Sequence, residues 1–224
     1  MKSLNKPSSL LLLFLYLLLI PGCIAFRSDM DGTFNGDTVK KSIAKQVSTF
    51  FLFTHLEQQK GYDVVPKIVQ PPQGFRNIFG ESMKELTNIK SYSSFTENEL
   101  DVDDINRRHL RDSLKQNNDY TIHVTFSKED SFVKEFFGDL IMIGTLTILP
   151  AHFSWDYTIK ADITNRSGVF LKSYTRHFTL SRWNNILLIF VYPFYPVENK
   201  TGEIYFESLR DIFRQIEAEG VLGV

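Results

Sequence analysis

Residues 157–180 read YTIKADITNRSGVFLKSYTRHFTL, and this stretch decides the fold class. Apolar and polar side chains alternate over residues 157–164, which is the pattern of a β-strand with one buried face. The turn residues Asn165-Arg-Ser-Gly168 follow, and a second extended run covers residues 169–180. The sequence therefore predicts a long β-hairpin.

Further strands are predicted upstream of the hairpin. Residues 120–126 show the clearest alternation in the chain, with Tyr, Ile, Val and Phe at every second position. Residues 89–96 form a shorter candidate. Residues 62–69 are rich in β-formers but contain Pro66, which confines them to a sheet edge or divides them into two short pieces.

Helices are predicted between and after these strands. Apolar residues recur at helical spacing over residues 75–89, and a closing amphipathic helix covers residues 205–216 and ends at Gly220. A further helix is expected to follow Asp101, Asp103 and Asp104, because carboxylates cap a helix N-terminus and favour its dipole. A calcium loop fits DVDD poorly, since the glycine and the final glutamate of an EF-hand are missing.

These elements predict an α+β fold, a small mixed sheet with a long C-terminal β-hairpin packed by two or three helices. The predicted domain covers residues 62–224 and contains an apolar insertion at 127–150. Residues 38–61 are ambiguous, because helical spacing and a buried strand at residues 49–54 both fit, and we interpret them as an accessory element.

Composition narrows the function classes. The 25 Lys and Arg residues against 26 Asp and Glu residues give a formal charge of −1, which argues against a nucleic-acid partner. The single cysteine, Cys23, excludes a disulfide framework and every multi-cysteine metal site.

The N-terminus, MKSLNKPSSLLLLFLYLLLIPGC, has the basic residues Lys2 and Lys6 before an apolar run at residues 10–20. That run is too short to span a bilayer as a helix, so residues 1–22 are interpreted as a signal peptide. Ile20-Pro21-Gly22-Cys23 resembles the lipobox of bacterial lipoproteins, although Ile20 and Pro21 depart from its usual residues. The resemblance implies cleavage before Cys23 and acylation of its thiol. Residues 24–37 contain three Asp and two Gly and show no periodicity, so residues 23–37 are interpreted as a flexible tether. An ordinary secretory peptide is the alternative, but it would leave an unexplained free thiol.

The predicted order of elements from residue 62 to residue 220 resembles the α/β module shared by the N-terminal domain of the periplasmic protein TolB and the curli secretion lipoprotein CsgG. The matching features are Gly74-Phe75 near the first helix, Asp119-Tyr120 opening the third strand, and the hairpin turn at residues 165–168. The resemblance implies an envelope protein in which none of these residues is catalytic.

No catalytic constellation is evident. The five histidines, at positions 55, 109, 123, 152 and 177, lack metal-ligand spacing, and the nucleotide-binding and nucleophile motifs do not occur. The acidic residues Glu129, Asp130, Glu135 and Asp139 are expected to be solvated. We predict no catalytic residues, no metal and no cofactor.

Two apolar runs stand out, at residues 140–149 and 186–195. Each is either buried in the core as a strand extension or short helix, or part of a surface patch that docks on a partner protein or a bilayer. The candidate patch residues are Leu140, Ile141, Ile143, Leu149, Trp183, Leu187, Ile189, Tyr192 and Phe194.

The expected function follows from the signal peptide and from the apolar runs. We predict a lipid-anchored lipoprotein of the bacterial envelope, at the outer membrane, that acts as a non-catalytic interaction or assembly component. Its partners would be the membrane, through the N-terminal lipid, and an envelope protein. The alternatives are an oligomeric secretion or transport subunit and an enzyme of unknown type.

Overall fold

The computed structural model describes residues 22–36, 45–145, 148–185, 188 and 197–223. Seven strands within these ranges form one mixed sheet in the order β1-β7-β6-β5-β2-β3, with β4 also paired to β2. The strands are β1 (Gly22–Arg27), β2 (Val47–Lys60), β3 (Lys67–Ile68), β4 (Ile89–Thr96), β5 (Tyr120–Ser131), β6 (Ala151–Asn165) and β7 (Phe170–Asn185). The helices are α1 (Phe75–Ser82), α2 (Ile105–Gln116), α3 (Phe132–Gly144) and α4 (Val197–Glu219).

The predicted hairpin is confirmed and is longer than the sequence pattern indicates. Strands β6 and β7 pair antiparallel from Ala151 opposite Asn184 to Thr164 opposite Phe170. Along β6 every second residue is buried over most of its length, because one face of the sheet carries the core and the other is polar. Strand β5 pairs antiparallel with β6 and parallel with β2, so the sheet is mixed, as the α+β prediction requires.

Strand β2 lies inside the sheet rather than in an accessory element. Its first half pairs parallel with β4, its second half pairs with β3, and its other side pairs with β5. Phe50, Phe51 and Phe53 are fully buried, on both faces of the strand. The expectation for residues 38–61 was therefore wrong over β2, since a strand that is buried on both faces reads as a continuous apolar run.

The segment expected as a flexible tether also differs. Residues 22–27 form β1, which covers the outer edge of β7, and Asp31 continues the pairing with an isolated bridge to His177. Ile24 and Ala25 are buried in this strand. Residues 37–44 lie outside the described ranges.

The main core lies between one face of the sheet and helices α1 and α4. Phe51 and Phe53 of β2 contact Phe79 of α1 edge to face, with ring centroids 5.0 and 4.9 Å apart. Tyr205 of α4 stacks on Phe126 of β5 at 4.4 Å. These aromatic contacts account for much of the chain's high phenylalanine content.

Helix α2 begins where the aspartates predicted it. The Asp104 carboxylate accepts a hydrogen bond from the backbone N–H of Arg107 at 3.1 Å, which makes Asp104 the N-cap. Asp101 pairs with the Arg107 side chain, whose guanidinium lies over the Phe95 ring of β4 at 4.7 Å. The aspartates therefore cap and fasten the helix.

One ion pair is buried beneath α4. Arg176 of β7 donates from Nε to Asp211 at 2.7 Å and from Nη2 to Gln215 at 2.6 Å. The backbone N–H of Phe34 donates to the same Asp211 carboxylate at 3.0 Å. Because every partner is supplied from within the fold, the pair fastens α4 and the N-terminal segment to the sheet.

Candidate functional site

Helix α3 occupies the insertion predicted at residues 127–150, after an extension of β5 to Ser131. Its inward side packs on the sheet through Gly138, which lies against the ring of the buried Phe153. Met142 accepts a hydrogen bond at its sulfur from the Asn184 side-chain amide at 3.4 Å, and the Glu135 carboxylate accepts one from Gln59 at 2.6 Å. These contacts fix which side of the helix faces outward.

The outward side of α3 is apolar. Seven of its side chains are between 38% and 75% exposed, and we call these residues the apolar surface: Phe132, Val133, Phe136, Phe137, Leu140, Ile141 and Ile143. At about 100° per residue they cover about half of the helix circumference, and the exposed charged residues Lys134 and Asp139 lie at its borders. A surface helix normally shows the reverse arrangement, with its apolar stripe towards the core.

Neighbouring segments enlarge the apolar surface. Ile148 and Leu149, just after the helix, are exposed. At the other end the ring of Tyr62 stacks on Phe132 with centroids 5.6 Å apart, and Val64, two residues after Tyr62, is 94% exposed. The burial alternative therefore does not describe the exposed residues Leu140, Ile141, Ile143 and Leu149, because their side chains point away from the sheet.

The apolar surface lies at the same end of the sheet as Cys23. In β1, Gly22 is opposite Asn185 of β7 and Cys23 is opposite Asn184. The Asn184 amide contacts Met142 in α3, and the Asn185 amide donates to the carbonyl of Ile148 at 2.8 Å. Two adjacent asparagines therefore connect the start of β1 to the C-terminal end of α3.

The other predicted patch residues are not all brought to this surface. Trp183 is 41% exposed and packs on His152 with centroids 4.6 Å apart. It alternates with Arg182, whose guanidinium contacts the core residue Phe153, so Trp183 faces the opposite side of the sheet from α3. Leu187, Ile189, Tyr192 and Phe194 lie outside the described residues.

A cleft of about 340 Å³ opens beside this end of the core, and sequence reasoning did not find it. Trp155 forms part of its wall, with the Lys128 ammonium 5.5 Å and the Arg182 guanidinium 4.9 Å from the indole ring. Lys128 pairs with Glu57 at 2.5 Å, whereas the buried Nε of Arg182 has no hydrogen-bond partner. An arginine in such a setting can bind a carboxylate or a phosphate.

His55 is packed in the core, and two of the acidic residues, Asp130 and Glu135, lie close together. Burial among aromatic rings lowers the pKa of His55 to about 4. Burial and the neighbouring Glu135 carboxylate raise the pKa of Asp130 to about 6, so these two acidic residues are brought together where β5 meets α3. Among the side chains that the structure describes, no three His, Cys, Asp or Glu residues converge on a metal-sized site.

The residues that carry the sequence resemblance to the α/β module of TolB and CsgG also have structural roles. The Asp119 carboxylate accepts hydrogen bonds from the backbone N–H and the hydroxyl of Ser48, at 2.9 and 2.8 Å, and these bonds lower its pKa. Gly74 has a φ of 80° directly before α1, and Gly168 has a φ of 78° in the hairpin turn. Both are backbone conformations that favour glycine.

The similarity of this chain to known proteins is limited to weak structural alignments. No family model matches the chain, and no curated protein matches it. Two dodecamer structures of PelC from Paraburkholderia phytofirmans, one of them a single-residue variant, align at 8% identity with TM-scores of 0.31 and 0.30. The alignments cover 86% and 85% of this chain and 99% and 96% of theirs. Scores this low assign neither fold nor function.

Proposed function

We propose that this chain is a lipoprotein of the bacterial envelope, acylated on Cys23 at the outer membrane, that acts by non-covalent association. The observation that carries the proposal is the apolar surface of α3 at the same end of the sheet as Cys23. A contiguous apolar face of this kind marks a protein or membrane interaction site in a soluble domain. It offers contact area rather than reactive groups, which supports association over catalysis.

The sequence of the N-terminus supports the proposed location in the bacterial envelope. Basic residues, an apolar run and Pro21-Gly22-Cys23 stand in the order of a lipoprotein signal. Acylation would also explain the single cysteine, because it consumes the thiol. Two or three acyl chains hold a protein to a bilayer almost permanently.

The test is metabolic labelling of the full chain with radioactive palmitate in a bacterium that processes lipoproteins. The wild type is expected to incorporate label and to sediment with the outer membrane, and Cys23→Ser is expected to lose the label and remain unprocessed. Ser is the matched control because it changes only the nucleophilic atom. Equal labelling of the two chains, or none in either, would refute acylation at Cys23.

An oligomeric secretion or transport subunit is the second candidate, because contacts between subunits bury aromatic and aliphatic side chains like those that α3 exposes. Light scattering of the detergent-extracted protein distinguishes the two proposals. A ring is expected to give one large, defined mass that Leu140→Glu reduces to a monomer. A protein that acts as a monomer gives the same small mass with and without the substitution.

A further inference from the structure

We infer that α3 lies flat in the interface of the lipid bilayer, with the apolar surface among the upper acyl chains, so that the folded body is seated on the membrane. The inference rests on the proposed function, since it takes Cys23 as the anchor. The partner is the phospholipid bilayer itself.

The dimensions of α3 suit a helix that lies in the membrane plane. Its 13 residues rise about 20 Å, which is less than the hydrocarbon thickness of a bilayer. No helix among the described residues is long and apolar enough to cross a membrane. An interfacial helix instead buries one apolar face and keeps its polar side chains near water. In α3 the exposed charges Lys134 and Asp139 border that face, where they would reach the headgroups.

The position of Cys23 restricts the orientation further. Cys23 belongs to β1 and is opposite Asn184, so no flexible tether separates an anchor at this residue from the folded body. The apolar run that ends at Ile20 is only three residues away, about 10 Å even when fully extended. Whichever of the two is embedded, the end of the sheet that contacts Met142 and Ile148 is brought to the membrane surface.

The charges near the apolar surface favour an apolar rather than an electrostatic contact. Lys60 is paired with Glu129 at 2.5 Å, and Glu135 points inward to Gln59. Lys134 and Asp139 on the helix are of opposite sign. The insertion of α3 is therefore expected to persist in zwitterionic lipids and at high salt, because acyl-chain burial provides its free energy.

The far end of the hairpin provides a matched control position. Strands β6 and β7 have 15 and 16 residues, so the turn at residues 165–168 lies about 50 Å along the sheet from the end that holds Cys23. Phe170 at the far end is 57% exposed, and Phe137 in the apolar surface is 58% exposed. The same label can therefore be placed on equally exposed phenylalanine positions at opposite ends.

The experiment uses site-directed spin labels on the full chain in phosphatidylcholine vesicles. Phe137→Cys and Phe170→Cys are each labelled with a nitroxide, in the natural chain and again in the Cys23→Ser chain. Power saturation then measures collisions with oxygen, which concentrates in the bilayer, and with a nickel chelate, which stays in water. The label at 137 is expected to show an oxygen-to-nickel ratio several-fold above that at 170, unchanged at high salt.

Three results would overturn the inference. Equal ratios at 137 and 170 in a chain that stays with the vesicles would place α3 in water. A label at 137 that is shielded from both reagents would mean that a second copy or another protein covers the helix. Release from the vesicles of the chains that retain Cys23 would refute both this inference and the proposed function. Failure of acylation alone is detected separately. In the labelled chains that retain Cys23, an unacylated Cys23 would take up a second nitroxide.

Discussion

The ring of Phe153 occupies the space that a side chain at Gly138 would need. A Cβ built on Gly138 would lie 2.8 Å from Cε1 and 2.9 Å from Cζ of that ring. The ring cannot easily move, because Phe153 is buried and the Arg182 guanidinium lies 4.9 Å from its centroid. The seating of α3 on the sheet therefore depends on a glycine at one position.

Gly138→Ala is accordingly expected to push α3 away from the sheet and to lower the free energy of unfolding by about 1–3 kcal/mol. Gly144→Ala, in the last turn of the same helix, is the matched control, since a Cβ there meets nothing within 4 Å. It should be neutral or stabilise the helix by up to about 1 kcal/mol. Urea unfolding followed by circular dichroism measures both, and equal losses would contradict the contact.

The exposure of α3 is tested by introducing a charge. Leu140 is 49% exposed, so Leu140→Glu should leave the melting temperature of the detergent-solubilised protein within a few degrees. Ile159 on β6 is fully buried, and Ile159→Glu should abolish the cooperative transition because the charge has no partner in the core. If Leu140→Glu unfolded the protein as well, the outward side of α3 would be buried.

The Arg176–Asp211 pair is expected to be costly to break from one side. The two side chains are 3% and 8% exposed, so Asp211→Asn leaves a buried cation without its counter-charge and should cost about 3–5 kcal/mol. The exposed pair Lys84–Glu81 is the control, and Glu81→Gln should cost less than about 1 kcal/mol. Replacing both buried partners, with Arg176→Met and Asp211→Leu, should recover most of the loss. A double variant no more stable than Asp211→Asn would show that the pair contributes more than mutual neutralisation.

His55 is expected to weaken the fold in mild acid. Its pKa is about 4 in the folded chain and about 6.5 when unfolded, so between these values the unfolded state binds the extra proton. The stability due to neutral His55 is therefore complete above pH 6.5 and falls by up to about 3 kcal/mol as the pH drops to 4. His55→Phe should remove this loss, because the ring packs among Phe75, Phe126 and Tyr205.

The measurement is urea unfolding at pH 8, 6 and 4.5 for the wild type, His55→Phe and His109→Gln. His109 is exposed on α2, so its variant should follow the wild type. Asp130, whose pKa is raised to about 6, acts in the opposite direction and stabilises the fold as the pH falls through that value, and it is present in all three chains. A wild-type slope that persists in His55→Phe would assign the acid sensitivity to another group.

Local sequence patterns were sufficient to predict the strands and helices that bury one face. The alternation of β6 and β5, the apolar stripe of α1 and the Asp104 cap all encode their conformation within a few residues. The structure therefore places these elements where the sequence predicts them, although α1 ends at Ser82, short of the predicted residue 89, and β5, β6 and β7 each extend beyond the predicted ends. The two-residue β3 is shorter than the predicted run at 62–69.

The elements that the sequence missed depend on distant partners. Residues 22–27 become a strand only because the edge of β7 is available to them, and nothing near Cys23 indicates that pairing. The outward orientation of α3 was equally hidden, because apolar periodicity does not state which side faces the core. That side is fixed by contacts with distant residues, namely Gly138 with Phe153, Met142 with Asn184 and Glu135 with Gln59.

The pairing of β1 with β7 also joins two strands that are synthesised at different times. About 160 residues separate Gly22 from its partner Asn185, so at 5–20 residues per second the ribosome completes β7 about 8–30 s after β1. Throughout that interval the segment that holds Cys23 has no edge of β7 to pair with. Once β7 is made, the same segment closes the sheet. If Cys23 is acylated, as we propose, the modification is therefore expected to compete with the last step of folding.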